Sequence, residues 1–271
     1  MPAILPITDP DDPRIAAFRD IRERDLVGRQ GRFIAEGEVV LRALARASAN
    51  GAGHRAEALL IAEPRVERLS ALIAAFPEEV PVYAAGQAVM DAIVGFPIHR
   101  GILALGRRGP ERTAGEALAS LDGAPRALVL ALFGIANHDN MGGLFRNAAA
   151  FGADLVILDS DCCDPLYRKA IRVSVGGALL VPFARLAPGE DPIGLMGAHG
   201  LTPIALTPAG ETLLADLKPP ARSALMLGAE GPGLPPSLIA RATGVSIPMS
   251  GGFDSLNVAT TSGIALHHLT R

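Results

Sequence analysis

Cysteine is scarce in this chain. Two adjacent residues, Cys162 and Cys163, are the whole supply among 271. Neighbouring cysteines rarely bridge each other, and two cannot build a disulfide framework. They also lack partner ligands for zinc. No His/Asp/Glu cluster has ligand spacing elsewhere, so no metal is expected. Long apolar runs are missing too. The longest, roughly 127–136, is about half of what a membrane span needs. The opening MPAILPITDPDDPR has no basic region followed by an apolar stretch, so no signal peptide is expected. Together these absences predict a cytoplasmic protein with no membrane partner.

A basic excess is also lacking. The 25 basic and 28 acidic residues give a net charge of −3, and the pI is about 6.1. Phosphate contacts call for a basic face. The distribution is uneven, however. Residues 14–32 hold six arginines against three acids, a local charge of +3. Only Lys169 and Lys218 are lysines. Arginine forks suit phosphates and base edges, so Arg22, Arg24, Arg29 and Arg32 are the expected RNA contacts. A solvated helix face accounts for them equally well.

Hydrophobic residues make up 49% of the chain and the mean hydropathy is +0.31, which excludes a disordered polymer. The length suffices for two domains. Asp12 and Pro13 open a helix, with Ile15, Phe18 and Ile21 at helical spacing. GRFIAEGEVVLRALARA reads as a strand, a turn at Glu36–Gly37 and a helix. Strands follow at 58–62, 80–84 and 101–106, separated by helices near 64–75 and 86–94. The stretch 107–125 is rich in Gly, Pro and charge, and marks a domain boundary. Beyond it the alternation restarts. RALVLALF, DLVILD, ALLVPF, LTPIAL, SALMLG and GVSIPM read as strands, with helices at 140–151, 165–174, 190–198, 235–242 and 256–269. Doubly wound α/β is the architecture this implies.

Three blocks put glycines and small polar groups directly after such strands. The first, NHDNMGGLFRNAAAFG at 137–152, bends into a helix carrying Asn140 and Arg146. Arg146 is expected near the start of that helix, sharing a face with Asn140. A cation there opposes the helix dipole, and such frustration tends to mark function. Pairing with Asp139 or Asp159 is the plainer explanation. The second block, LMLGAEGPGL at 225–234, sets Glu230 among glycines. It is neither a phosphate-binding Gly-Lys-Ser/Thr loop nor a G-x-G-x-x-G fingerprint. The third, SIPMSGGFDSLNVATTSGIALHHL at 246–269, ends a strand and opens a helix for which Asp254 or Ser255 is the expected cap.

In this order the three blocks resemble the SpoU (TrmH-type) branch of the SPOUT RNA methyltransferases. Asn140, Gly142, Arg146 and Ala148 match the first family motif, LMLGAEGPGL the second, and IPM…SLNV the third. Family members often have proline before the asparagine, where this chain has His138-Asp139, and alanine near Thr261–Ser262. IRVSVGGALLVPF at 171–183 is a weaker match to a stretch that touches cofactor or partner.

The resemblance implies a parallel-sheet methyltransferase domain over 126–271 with a C-terminal trefoil knot, joined by the linker 108–125 to a small ribosomal-protein-like RNA-binding α/β domain over 1–107. It implies transfer of a methyl group from S-adenosylmethionine to a ribose 2′-hydroxyl of tRNA or rRNA. The cofactor would lie against Leu227, Gly228, Gly233, Ile247 and Leu256. Arg146, Asn140, Glu230, Ser255 and Asn257 would form the catalytic set. A homodimer is implied, with Ile264, Leu266 and Leu269 giving α-helical apolar support. A non-catalytic RNA-binding or assembly protein of this fold, a methyltransferase acting on a small nucleotide-like ligand, and one acting on a base are the alternatives.

Overall fold

The computed structural model describes residues 2–19, 23–49, 53–94, 101–251 and 255–271. Its chain packs as two compact units, Met1–Pro110 with Leu166–Leu180, and Glu111–Pro165 with Val181–Arg271.

The first unit is built on a five-stranded mixed sheet. Its strands are β1 (Ile4–Ile7), β2 (Arg32–Glu36), β3 (Arg55–Ala62), β4 (Val82–Ala85) and β5 (Ile102–Arg107), in the order β1-β4-β3-β5-β2. β4 runs parallel to β1 and β3, whereas β5 runs antiparallel to β3 and β2. Asp12 caps a 3-10 helix (Pro13–Phe18), accepting from the Arg14 N–H, and Ile15 and Phe18 are buried. Helices α1 (Glu23–Gly28), α2 (Glu38–Ala49), α3 (Glu63–Val66), α4 (Ser70–Ile73) and α5 (Gln87–Val94) complete its main stretch. The single helix expected near 64–75 is thus two short pieces. Gly37 supplies the expected turn at φ 92°.

The second unit holds α6 (Ala114–Ala119) and a seven-stranded, wholly parallel sheet. Its chain order is β6 (Ala127–Phe133), α7 (His138–Phe151) and β7 (Leu155–Leu158). Next come α8 (Arg168–Val173) and α9 (Gly177–Leu180), which pack with the first unit. β8 (Phe183–Arg185), α10 (Pro192–Ala198), β9 (Thr202–Leu206), β10 (Thr212–Leu213), β11 (Arg222–Gly228), α11 (Pro236–Ile239), β12 (Thr243–Ser246) and α12 (Val258–Leu269) follow. The sheet order is β10-β12-β9-β11-β6-β7-β8. β6 and β7 are buried throughout, as unbroken apolar runs in a parallel sheet should be.

Two expected strands shift. ALLVPF is not one strand: its first half is α9, and the strand is Phe183–Arg185. Val175 at φ 55° and Gly176 at φ 82° end α8, and the buried Ser174 hydroxyl then accepts from the Ala178 N–H at 3.2 Å, starting a new turn. A short apolar run carries no period strong enough to tell these outcomes apart. GVSIPM leaves the sheet at Ser246, before Pro248, which has no N–H to give a ladder.

Candidate functional site

The carboxyl ends of β6 and β11 lie side by side, with Phe133 in register with Gly228. From β6 the chain winds outward through β7 and β8, while β11, β9, β12 and β10 fill the other side. Open α/β sheets hold ligands at such a reversal of strand order. All three sequence blocks emerge in this unit.

The first block starts with a turn at Gly134 (φ 68°), whose N–H donates to Asp159 Oδ2 at 2.9 Å. Asn137 then caps α7, its Oδ1 accepting from the N–H groups of Asp139 and Asn140 at 2.8 and 3.4 Å. Asn140 is buried, at 7% exposure.

The second block is a tight loop. Gly233 N–H returns to the Ala229 carbonyl at 2.9 Å. A Cβ on Gly228 would fall 2.1 Å from the Gly233 carbonyl carbon, so no other residue fits there without moving backbone. Gly231 and Gly233 take φ of 89° and 70°, which L side chains rarely adopt.

The third block meets both at Asn257. Its Nδ2 donates to Asn140 Oδ1 at 2.8 Å and to Glu230 Oε1 at 2.9 Å. Its Oδ1 accepts from the Ala259 and Thr260 N–H groups at 3.0 and 3.2 Å. One amide therefore caps α12 and joins the polar residues of all three blocks. The expected caps are corrected accordingly: Asn257 holds the helix, Ser255 lies two residues before it, and Asp254 is outside the described residues.

Beside this cluster lies a cavity of about 490 Å³, within the range of small-ligand sites. Its walls come from 206–208, 227–234, Ile247, Met249 and 255–258. Leu227, Gly228, Gly233, Ile247 and Leu256, expected at the cofactor, all line it, as do Glu230, Ser255 and Asn257. Apolar side chains, backbone edges and one carboxylate suit a flat, phosphate-free ligand. The wall at Leu206, Thr207 and Pro208 was not foreseen, because a Thr-Pro turn after a strand carries no chemical signature.

Arg146 stands apart. It is exposed, absent from the cavity wall, and forms no hydrogen bond or ion pair among the described residues. The pairing with Asp159 does not occur: that carboxylate is engaged by the N–H groups of Gly134, Asp161 and Cys162. Two expectations about Arg146 need correction. α7 begins at His138, so Arg146 lies past the helix midpoint and does not confront the positive end of the dipole. Asn140 and Arg146 are six positions apart, which sets them on different sides of α7.

Of the arginines expected at RNA, Arg29 is paired with Asp25 at 3.2 Å and Arg32 with Glu57 at 2.7 Å. Arg22 and the side chain of Arg24 lie outside the described residues. Leu266 and Leu269, expected to support a dimer, are buried within their own unit, and only Ile264 of that trio is exposed.

Fold and cavity together define an α/β enzyme with a small-ligand site at a switch point of a parallel sheet. The chain belongs to the SpoU rRNA methylase family, whose model matches residues 127–267. It is accordingly an S-adenosylmethionine-dependent RNA methyltransferase. An uncharacterized tRNA/rRNA methyltransferase of Mycobacterium bovis is 38% identical over 274 residues, covering 98% of this chain and 91% of that protein. The 23S rRNA (guanosine-2′-O-)-methyltransferase RlmB of Acinetobacter baylyi is 31% identical over 198 residues, covering 72% of this chain and 80% of the other. A crystal structure of an RNA 2′-O ribose methyltransferase aligns with a TM-score of 0.76 at 28% identity, covering 98% of each chain.

Proposed function

We propose that this protein methylates a ribose 2′-hydroxyl of tRNA or rRNA, using the cavity beside Asn257. The observation that carries this reading is the Asn140–Asn257–Glu230 cluster, of which Asn257 and Glu230 line the cavity. The 2′-O specificity of RlmB and of the aligned ribose methyltransferase supports the choice of ribose over base.

S-adenosylmethionine, when bound, supplies a methyl group on a positively charged sulfur. Leu227, Gly228, Gly233, Ile247 and Leu256, which line the cavity, would hold the cofactor. The remaining task falls to the protein's own groups. They must align the hydroxyl for attack while its proton passes to solvent water. Arginine stays protonated, so Arg146 is assigned to stabilising the developing oxyanion and holding the neighbouring phosphate. Asn140, Glu230, Ser255 and Asn257 set the frame around it.

Arg146 does not line the cavity of its own chain. That supports a homodimer in which Arg146 completes the site of a second copy. A trefoil knot at the C-terminal segment belongs to the same reading. It is supported by walls drawn from three separated chain segments and by β12 lying between β9 and β10. Residues 1–107 are assigned to RNA recognition, 108–125 to a linker and 126–271 to catalysis. A cytoplasmic location follows from an RNA substrate.

The test is transfer of radiolabelled methyl to total tRNA and, separately, rRNA from a strain lacking this protein. Label in one pool, lost with Arg146→Ala, is the expected result. No label in either pool and no S-adenosylmethionine binding would sink the reading.

A further inference from the structure

Arg146 has nothing of its own to hold it. Its direction is set by how α7 is rotated about its axis, which rests on the buried Met141, Leu144, Phe145 and Ala148 and on one line of contacts with α12. Asn140, Gly143 and Asn147 fall on that line, at the spacing of one helix face. At its start Asn140 Oδ1 accepts from Asn257. In the middle a Cβ on Gly143 would come 2.6 Å from the Ala259 Cβ, so the helices approach closely there. Further along, Asn147 Nδ2 donates to the Ala259 carbonyl at 2.6 Å and to Ser262 Oγ at 2.8 Å, and the line ends where the Phe151 ring meets His267, centroids 6.0 Å apart. The Ser262 hydroxyl, in a fully buried residue, in turn donates to the same carbonyl at 2.7 Å. Gly263 leaves room for the amide, since a Cβ there would lie 3.3 Å from Asn147 Nδ2.

We propose that Asn147 is a positioning residue for Arg146. It pins α7 to α12 two turns beyond the Asn140–Asn257 bond, so that the exposed guanidinium points in one direction relative to the Asn257 cluster. The apolar packing of Phe145, Ala148 and Phe151 holds the far half of α7, and the two polar pins narrow its rotation further. Side-chain tips ride about 5–6 Å from a helix axis, so a rotation of about 10° moves them by about 1 Å. A misplacement of that size can cost on the order of 100-fold in rate. This inference rests on the proposed function, because it assigns Asn147 a task only if Arg146 acts in methyl transfer.

The test is a double-mutant cycle on the full chain, with S-adenosylmethionine and the RNA pool that wild type labels. Asn147→Ala should lower kcat by about tenfold or more. KM for RNA and the S-adenosylmethionine affinity should stay within about twofold. Placed on Arg146→Lys, which keeps partial transfer without the planar fork, the same change should cost less than on wild type, because its effect passes through Arg146. Ser262→Ala keeps the fold at a buried position and removes one of the two partners. It should reproduce the pattern at smaller amplitude, and it decides the matter should Asn147→Ala fail to fold. Unchanged kcat in both variants, or a loss on Arg146→Lys as large as on wild type, would overturn the positioning role while leaving the function intact. A wild type that labels neither pool would overturn both.

Discussion

Replacing Asn257 separates two tasks that one amide performs. Its oxygen caps α12, while its nitrogen ties Asn140 and Glu230 together. Serine caps as well as asparagine, but it is too short to span to Asn140 and Glu230. Asn257→Ser should therefore keep the helix and lose the bridge. Asn257→Ala loses both. The cap is worth about 1 kcal/mol, and a domain of this size moves by about 2–4 °C in Tm for each kcal/mol. Alanine should thus melt about 2–4 °C below serine. The two should be equally poor catalysts, since both release Asn140 and Glu230 from a common geometry, and a shift of about 1 Å can cost on the order of 100-fold. Thermal melts and single-turnover methyl transfer read the two quantities separately. Near-wild-type transfer by Asn257→Ser would refute the bridge. Equal Tm values for serine and alanine would refute the cap.

Three other outcomes follow from the geometry. Gly228→Ala drives a methyl group into the Gly233 backbone and should weaken S-adenosylmethionine binding by at least about tenfold; isothermal titration measures it, and unchanged affinity would remove that loop from the site. Arg146→Lys keeps the charge but loses the planar fork, so partial methyl transfer is expected from an electrostatic role, whereas complete loss with cofactor still bound would require the fork. Burial, followed by the charge of Asp164, pushes the Cys163 thiol up to about 11, and burial raises Cys162 further. Because the thiolate is the nucleophile, the buried Cys162 and the half-buried Cys163 should both react slowly with a thiol reagent at pH 8 until the chain unfolds; rapid labelling of the native protein would contradict their raised thiols.

Much of this molecule is legible in its sequence for a simple reason. Parallel strands buried on both faces must be nearly continuous apolar runs, and RALVLALF, DLVILD and SALMLG are such runs. Glycine loops after them announced where a ligand site would form. The order of the strands was not legible, because β11 inserting between β9 and β6 is decided by packing between segments about a hundred residues apart. The roles inside the site were only partly visible. Asn257 was marked by its motif, but its service as both cap and bridge depends on Asn140 and Glu230 arriving from elsewhere. The sequence puts Arg146 too early in its helix, because the helix starts at His138 behind an Asn137 cap, inside a polar, glycine-bearing stretch that reads as a bend. Asn147 carries no signal in the sequence, since an asparagine in a helix acquires meaning only when the partner helix is known. The break at Val175–Gly176 shows the limit of short apolar runs: four residues, Gly177–Leu180, suit a helical turn as well as a strand.

Ribose methylation leaves a chemical mark that base methylation does not. A 2′-O-methyl group prevents the 2′-oxygen from attacking the adjacent phosphate, so that linkage survives alkali. RNA labelled by this protein from radiolabelled S-adenosylmethionine should be hydrolysed in alkali and its products separated by length. Radioactivity in dinucleotides, absent when Arg146→Ala is used, is the predicted result. Radioactivity in mononucleotides would place the methyl group on a base and contradict the ribose assignment.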